Sequence, residues 1–353
     1  MPVRPPRVLF VAENTVDYQA DALHHGLVEL LGDRVVDIPK REVMYDSFPR
    51  ARLRRQYGKG FTLHGLLPDR DVDRTSLTDR VRDGEFDLVV FGAIWRDFGT
   101  FAALLPHLRE TRVAVVDGAD SPGLYPWARM WMSHRSWWGL PRASTRFPYF
   151  KRELTPWATS HRWYGLAGPP ALSRHLPLPR NLLPISFAVP AAKIAAAPPA
   201  KVKDFAAHIV DPEVRAGVGG SAGYAFEEEA DYVADLRASR FGVTTRRAGW
   251  DALRHYEIAA AGTVPCFRDL DRKPATCAPH DLHAGNCVPY RSWRQLRERI
   301  AGMGEPEYAA LQAGALAWAG ASSTRVRAAE LLGAVGLPGP WEPTGAVGAS
   351  APA

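Results

Sequence analysis

Three cysteines in 353 residues, Cys266, Cys277 and Cys287, are too few and too clustered to form a disulfide framework. No run approaches the roughly 20 apolar residues that a membrane-crossing helix needs. The apolar segment 8–12 (VLFVA), close behind the N-terminus, is too short for the core of a signal peptide. A cytosolic location is therefore the default expectation. The sequence holds no P-loop or dinucleotide fingerprint, no recognisable nucleic-acid-binding motif and no internal repeat. Positive charge is in excess, 44 Lys+Arg against 38 Asp+Glu for a net charge of +6, but it is scattered apart from Arg50, Arg52, Arg54 and Arg55. That balance fits a solvated surface with a few arginines set aside for an anionic ligand, and a nucleic-acid partner is not expected.

What is present is an ordinary globular composition, 46% hydrophobic and 23% charged. The chain is longer than one core usually organises, so two domains are expected. Short apolar runs at 8–12, 34–38, 86–92 and 112–117 alternate with helical spacing. Leu23, Leu27, Leu30 and Leu31 recur along one stretch and stop at Gly32, and a second helical stretch falls near 100–109. This alternation predicts an α/β fold with a parallel, doubly wound sheet. Ligands bind such sheets at the carboxyl ends of the strands, which here carry Glu13, Asn14, Trp95, Arg96, Asp97, Asp117 and Asp120. Residues 121–164 break the pattern and hold Trp127, Trp131, Trp137, Trp138, Trp157 and Trp163. Those rings either pack an irregular segment or stack on flat apolar groups.

A strand candidate at 184–190 and an Ala/Pro-rich connector lead into the second half. There the glycine-rich stretch 217–223 reads as a turn. It is followed by a helix near 226–237, a strand at 240–244, a helix at 251–261, a strand at 263–267, and helices near 292–301 and 306–334. The expected domains are 1–182 and 183–336, with a disordered Pro/Gly/Ala-rich tail at 337–353.

The chemistry concentrates in 239–265, SRFGVTTRRAGWDALRHYEIAAAGTVP. It reads as a strand, a loop carrying Arg246 and Arg247, and a helix with Asp251 as N-cap behind the apolar Trp250. The helix stops at Gly262 in the left-handed conformation. Arg254 and Glu257, three residues apart, share a face. A helix N-terminus preceded by two guanidiniums suits an anion, and adjacent guanidiniums fork well onto a diphosphate. Glu257 lies too far along the helix to be drawn to its dipole, and it can instead accept hydrogen bonds from the two hydroxyls of a ribose. The competing reading is a surface Arg254–Glu257 pair worth about 0.3–0.5 kcal/mol on an ordinary α/β unit; the residues alone leave both open.

The run Arg254-His-Tyr-Glu-Ile-Ala-Ala-Ala-Gly-Thr-Val-Pro265, with Ser239-Arg-Phe and Gly249-Trp-Asp ahead of it, resembles the nucleotide-sugar site of GT-B glycosyltransferases, nearest to the CgeB-like and exostosin-like branches. Asp117-Gly-Ala-Asp120 followed by Tyr149-Phe-Lys-Arg-Glu153, and Leu183-Pro-Ile-Ser-Phe-Ala-Val-Pro190, echo it more weakly. The resemblance implies a GT-B-like fold: two Rossmann-like domains facing each other across a cleft, acceptor on the N-terminal one and donor on the C-terminal one. By position it implies Glu257 on the donor ribose and Arg247 and Arg254 on the diphosphate, with Arg246, His255 and Gly262 completing the donor site. Where distant members carry an upstream glutamate against the sugar, this chain has Thr244, Thr245 and Trp250.

The implied activity is metal-independent glycosyl transfer from a UDP- or GDP-linked sugar, with no cofactor beyond that co-substrate. The acceptor is a glycan, a lipid-linked sugar, a protein or a small molecule, and peripheral membrane association is left open. Inversion at the anomeric carbon needs a base, for which Asp117 and Asp120 are the choices ahead of Asp97 and Glu13. Retention needs none. Two metal readings stand beside this one: the acidic pair Asp269 and Asp271, and a zinc loop of Cys277, His280, His283 and Cys287. No metal is expected. The alternatives in function are an inactive binding protein on the same scaffold and a sugar-nucleotide epimerase.

Overall fold

The computed structural model describes residues 4–108, 110–124, 146–156, 158, 181–223, 225–337 and 339. All six tryptophans of 121–164, and the expected tail apart from Leu337 and Gly339, lie outside the described residues. In the first half the elements are β1 (Val8–Val11), α1 (Tyr18–Leu31), β2 (Val35–Ile38), α2 (Arg50–Leu53), α3 (Leu77–Arg82), β3 (Leu88–Phe91), α4 (Ile94–Leu104), β4 (Arg112–Asp117), β5 (Tyr149–Lys151) and β6 (Leu182–Pro184). The six strands form one parallel sheet in the order β2-β1-β3-β4-β5-β6. Every residue of β1 and β3 is buried, as their unbroken apolar runs require of strands covered on both faces. One face packs on α1 through Leu23 and Leu27. The other packs on α4 through Phe98 and Phe101.

The second half contributes β7 (Lys203–Phe205), α5 (Pro212–Val218), α6 (Glu229–Ala238), β8 (Ser239–Thr245), α7 (Leu253–Ala260), β9 (Val264–Arg268), β10 (Val288–Tyr290), α8 (Trp293–Ala301), α9 (Glu305–Ala321) and α10 (Thr324–Ala334). Its four strands are parallel, in the order β10-β9-β8-β7. Among the described residues no helix is long and apolar enough to cross a membrane.

Three expectations about the elements change. The helix expected over 306–334 is two helices, broken at Ser322–Ser323, where the Ser323 hydroxyl accepts from Val326 N–H and caps α10. The break turns α10 back onto the first sheet: Ala328, Ala329, Leu331 and Leu332 join the same core cluster as Leu23 and Leu27 of α1. The approach is close enough that a Cβ on Gly26 would run into the backbone carbonyl of Thr324. The first domain is thus completed by the last helix, which the division at 182/183 had placed with the second. The strand expected at 184–190 is not formed: the edge strand β6 ends at Pro184, and 185–190 are irregular apart from a single bridge between Val189 and Ser323.

Candidate active site

A cleft of about 580 Å³ lies between the carboxyl ends of the two sheets, a size suited to a small organic ligand. Tyr18, Phe61, Asp120 and Phe187 line it from the first half, and His208, Thr244, Arg247, Arg254 and Glu257 from the second.

The start of α7 determines what the cleft offers. Asp251 was expected to cap this helix and does not. Ala252 is the N-cap residue, no side chain caps the helix, and Ala252, Leu253 and Arg254 all line the cleft. An uncapped helix start presents N–H groups and the positive end of the helix dipole to whatever binds there. Asp251 is buried instead, accepting from Phe187 N–H at 2.8 Å and Tyr256 Oη at 2.9 Å. Glu153, also buried, accepts from Trp250 N–H at 2.7 Å and Asp251 N–H at 3.2 Å. That clamp needs glycine at 249, where a Cβ would collide with the Glu153 carboxylate.

Arg254 and Glu257 share a face, as their spacing requires, and that face borders the cleft rather than open solvent. Arg254 Nη2 donates to His208 Nδ1 at 2.5 Å. Burial, then the Arg254 charge, lowers the His208 imidazole to about 3, so it stays a neutral acceptor at ordinary pH. The backbone around His208 is stitched to Ser221 by a parallel bridge, with Ile209 N–H on Ser221 O and Ser221 N–H on Ala207 O, both 2.8 Å. The glycine-rich turn is thereby held at the cleft wall, which Ala222 and Gly223 line. We expect His208→Ala to loosen Arg254 and weaken binding of a nucleoside diphosphate about tenfold, the effect of losing one hydrogen bond to a charged group. Wild-type affinity should show no titration at His208 between pH 5 and 8. Calorimetric titration across that range checks both.

Glu257 accepts from Thr62 Oγ1 at 2.5 Å and from Tyr232 Oη at 2.8 Å, one donor on each carboxylate oxygen. Of the other residues expected at a donor site, Arg247 lines the cleft, whereas Arg246 lies over the Trp250 ring, 5.1 Å from its centroid, outside the lining. His255 is buried behind the wall, its Nδ1 2.8 Å from Thr244 Oγ1 and its Nε2 3.0 Å from Trp250 O. Gly262 does adopt the expected left-handed conformation, φ 65°, where a Cβ would also meet Pro199. Both shape the unit, and neither lines the cleft.

The two carboxylates chosen as base candidates part company. Asp117 is 1% exposed, accepts from Tyr149 Oη at 2.6 Å and pairs with Lys151 at 3.0 Å. Asp120 lines the cleft, with its carboxylate paired to Arg152. Asp97 is buried and accepts from the N–H groups of Glu13 and Ala93 at the start of α4, and burial pushes it up to about 7. Of the metal candidates, Asp271 pairs with Arg291, and His283 Nδ1 accepts from Gly285 N–H at 3.0 Å. Cys277 and Cys287 are buried in an apolar cluster. Among the described residues no three His, Cys, Asp or Glu side chains converge on a metal position. Thr62, His208 and Tyr232 carried no sequence signal, because each becomes relevant only through a partner 25 to 195 residues away.

No family model matches the chain, and no curated protein matches it. Solved structures do. Anabaena HepE, crystallised with UDP and glucose, is similar over 93% of this chain and 98% of its own, at 12% identity and a TM-score of 0.53. A glycosyltransferase from Rickettsia africae is similar over 93% of this chain and 97% of its own, at 8% identity and a TM-score of 0.52. At such identities the likeness speaks for fold: the chain has the GT-B fold of these glycosyltransferases, two Rossmann-like domains facing each other across the cleft.

Proposed function

We propose that this protein is a glycosyltransferase that moves a sugar from a nucleotide-sugar donor to an acceptor hydroxyl without a metal ion. The observation that carries the reading is the convergence on one cleft wall of the uncapped start of α7, the guanidiniums of Arg247 and Arg254, and the Glu257 carboxylate one turn further on. The arginines and the helix start meet the negative charge that grows on the diphosphate as its bond to the anomeric carbon breaks. Glu257 accepts from the ribose hydroxyls. A UDP-linked donor is favoured because HepE, which shares the fold, binds UDP and UDP-glucose. The run Arg254–Pro265 favours the CgeB-like and exostosin-like branches.

For an inverting reaction Asp120 is the base: it takes the proton of the acceptor hydroxyl while that oxygen forms its bond to the anomeric carbon and the nucleoside diphosphate leaves. Asp120 lines the same cleft as Arg247 and Arg254, its carboxylate paired with Arg152, and Asp117 ends the strand β4 that leads to it.

UDP should raise the melting temperature of the purified protein, with EDTA present or not. At a hundredfold excess over Kd the gain is about 2.7 kcal/mol, and Glu257→Ala should remove most of it. GDP serves as the second arm and identifies the base. No response to either nucleotide, or a response that chelation abolishes, defeats the proposal.

A further inference from the structure

The chain between α2 and His64 leaves the first domain and lies across the second. Arg54 pairs with Glu228. Lys59 Nζ donates to Phe226 O at 2.8 Å and pairs with Glu227 at 2.6 Å. Thr62 N–H donates to Glu229 Oε1 at 3.0 Å. Between them the Phe61 ring stacks on Tyr232, centroids 6.0 Å apart and planes within 22°. On its own side the segment is tied by Tyr18 Oη donating to Tyr57 O at 3.0 Å, and by His64 Nε2 lying 3.0 Å from the buried Asp21 carboxylate. Lys59 and Thr62 sit at φ 55° and 73°, a left-handed backbone that side-chain-bearing residues rarely adopt. The cross-domain contacts hold it there.

One more contact of this segment, Thr62 Oγ1 donating to Glu257 Oε1, bears on the donor site. A carboxylate offers about four lone-pair positions. Thr62 fills one on Oε1 and Tyr232 one on Oε2, which leaves two, the number that the two hydroxyls of a ribose need. The Tyr232 donor comes from the same domain as Glu257, but the Thr62 donor arrives only when the two domains are together.

We propose that residues 54–62 form an interdomain strap, and that Thr62 is a positioning residue which sets the Glu257 carboxylate for the donor's ribose when the cleft is closed. The inference rests on the nucleotide-sugar reading above and adds to it a coupling between domain closure and donor grip. Arg254, expected on the diphosphate, is held by His208 and not by the strap. The strap therefore separates a ligand that has a ribose from one that does not.

The test compares UDP with inorganic pyrophosphate on wild type, Thr62→Val and Thr62→Ser, by calorimetric titration. Thr62→Val should weaken UDP about tenfold or more, as expected for a lost hydrogen bond to a carboxylate, and leave pyrophosphate within about twofold. Thr62→Ser, which keeps the hydroxyl, should restore UDP binding. Wild-type UDP affinity in Thr62→Val overturns the strap, as does a parallel loss of UDP and pyrophosphate, which would signal general damage to the cleft. Failure of wild type itself to bind UDP overturns the nucleotide-sugar reading and the strap together, and so is distinct from failure of the strap alone.

Discussion

Arg152→Ala should lower the unfolding free energy by about 3–5 kcal/mol, the usual cost of removing one partner from a buried ion-pair network. Arg152 is 2% exposed and bridges the domains. Its Nε donates to Gly118 O at 3.0 Å, its Nη1 to Asp251 O at 2.9 Å, and its Nη2 reaches Asp120. The guanidinium also lies over the Phe187 ring, 4.4 Å from the centroid. Glu153 and Asp251 are buried beside it; burial raises both carboxyls and the Arg152 charge pulls them back.

Without that charge both folded-state pKa values rise further above their unfolded values. A carboxyl raised in this way favours the folded state at low pH, and that contribution is lost as pH rises. The deficit of the variant should therefore be smaller at pH 5 than at pH 8. Urea unfolding at the two pH values measures it. A loss under about 1 kcal/mol at pH 8 would mean that the bridge does not couple the domains as described. Arg152→Lys should fall between, because an ammonium keeps the charge but not the fork that reaches three partners.

Arg254→Ala should lower kcat by about a hundredfold to a thousandfold, the range found when one preorganised donor to developing charge is removed. The stability cost should be small, since Arg254 is half-buried. Turnover of a UDP-sugar at saturating donor isolates the effect. A larger change in KM than in kcat would make Arg254 a ground-state contact, and an unchanged kcat would remove it from the leaving-group site.

The contrast between these two arginines shows which parts were legible in the sequence. Arg254 belongs to a local pattern: helix spacing puts it on the face of Glu257, and a short loop puts Arg247 nearby. Local geometry of that kind survives into the fold. The parallel sheets were readable for the same reason, since strands covered on both faces must be continuously apolar, as VLFV and LVVF are. Arg152 looked like part of a weak echo, and nothing local shows that it will be buried against a residue 99 positions away. Asp251 misled because Asp before an apolar run ordinarily caps a helix. Here Tyr256 Oη and the Phe187 N–H outcompete the helix for its carboxylate. Asp117 and Asp120 are equivalent by strand-end position, and only Tyr149 and Lys151, on the neighbouring strand β5, tell them apart.

The return of α10 to the first domain bears on how the protein is made. His25 and Thr324, 3.1 Å apart, are separated by 299 residues. At ribosomal speeds of roughly 5–20 residues per second, the N-terminal sheet waits about 15–60 s after α1 is synthesised before its covering helix emerges. Throughout that interval the apolar side of α1 that α10 will cover has no native partner, so the nascent chain is at its most adhesive just as the second domain is forming. A chain cut short before residue 324 would carry that surface permanently and would be recognised by chaperones and proteases as unfinished, whatever the state of its cleft.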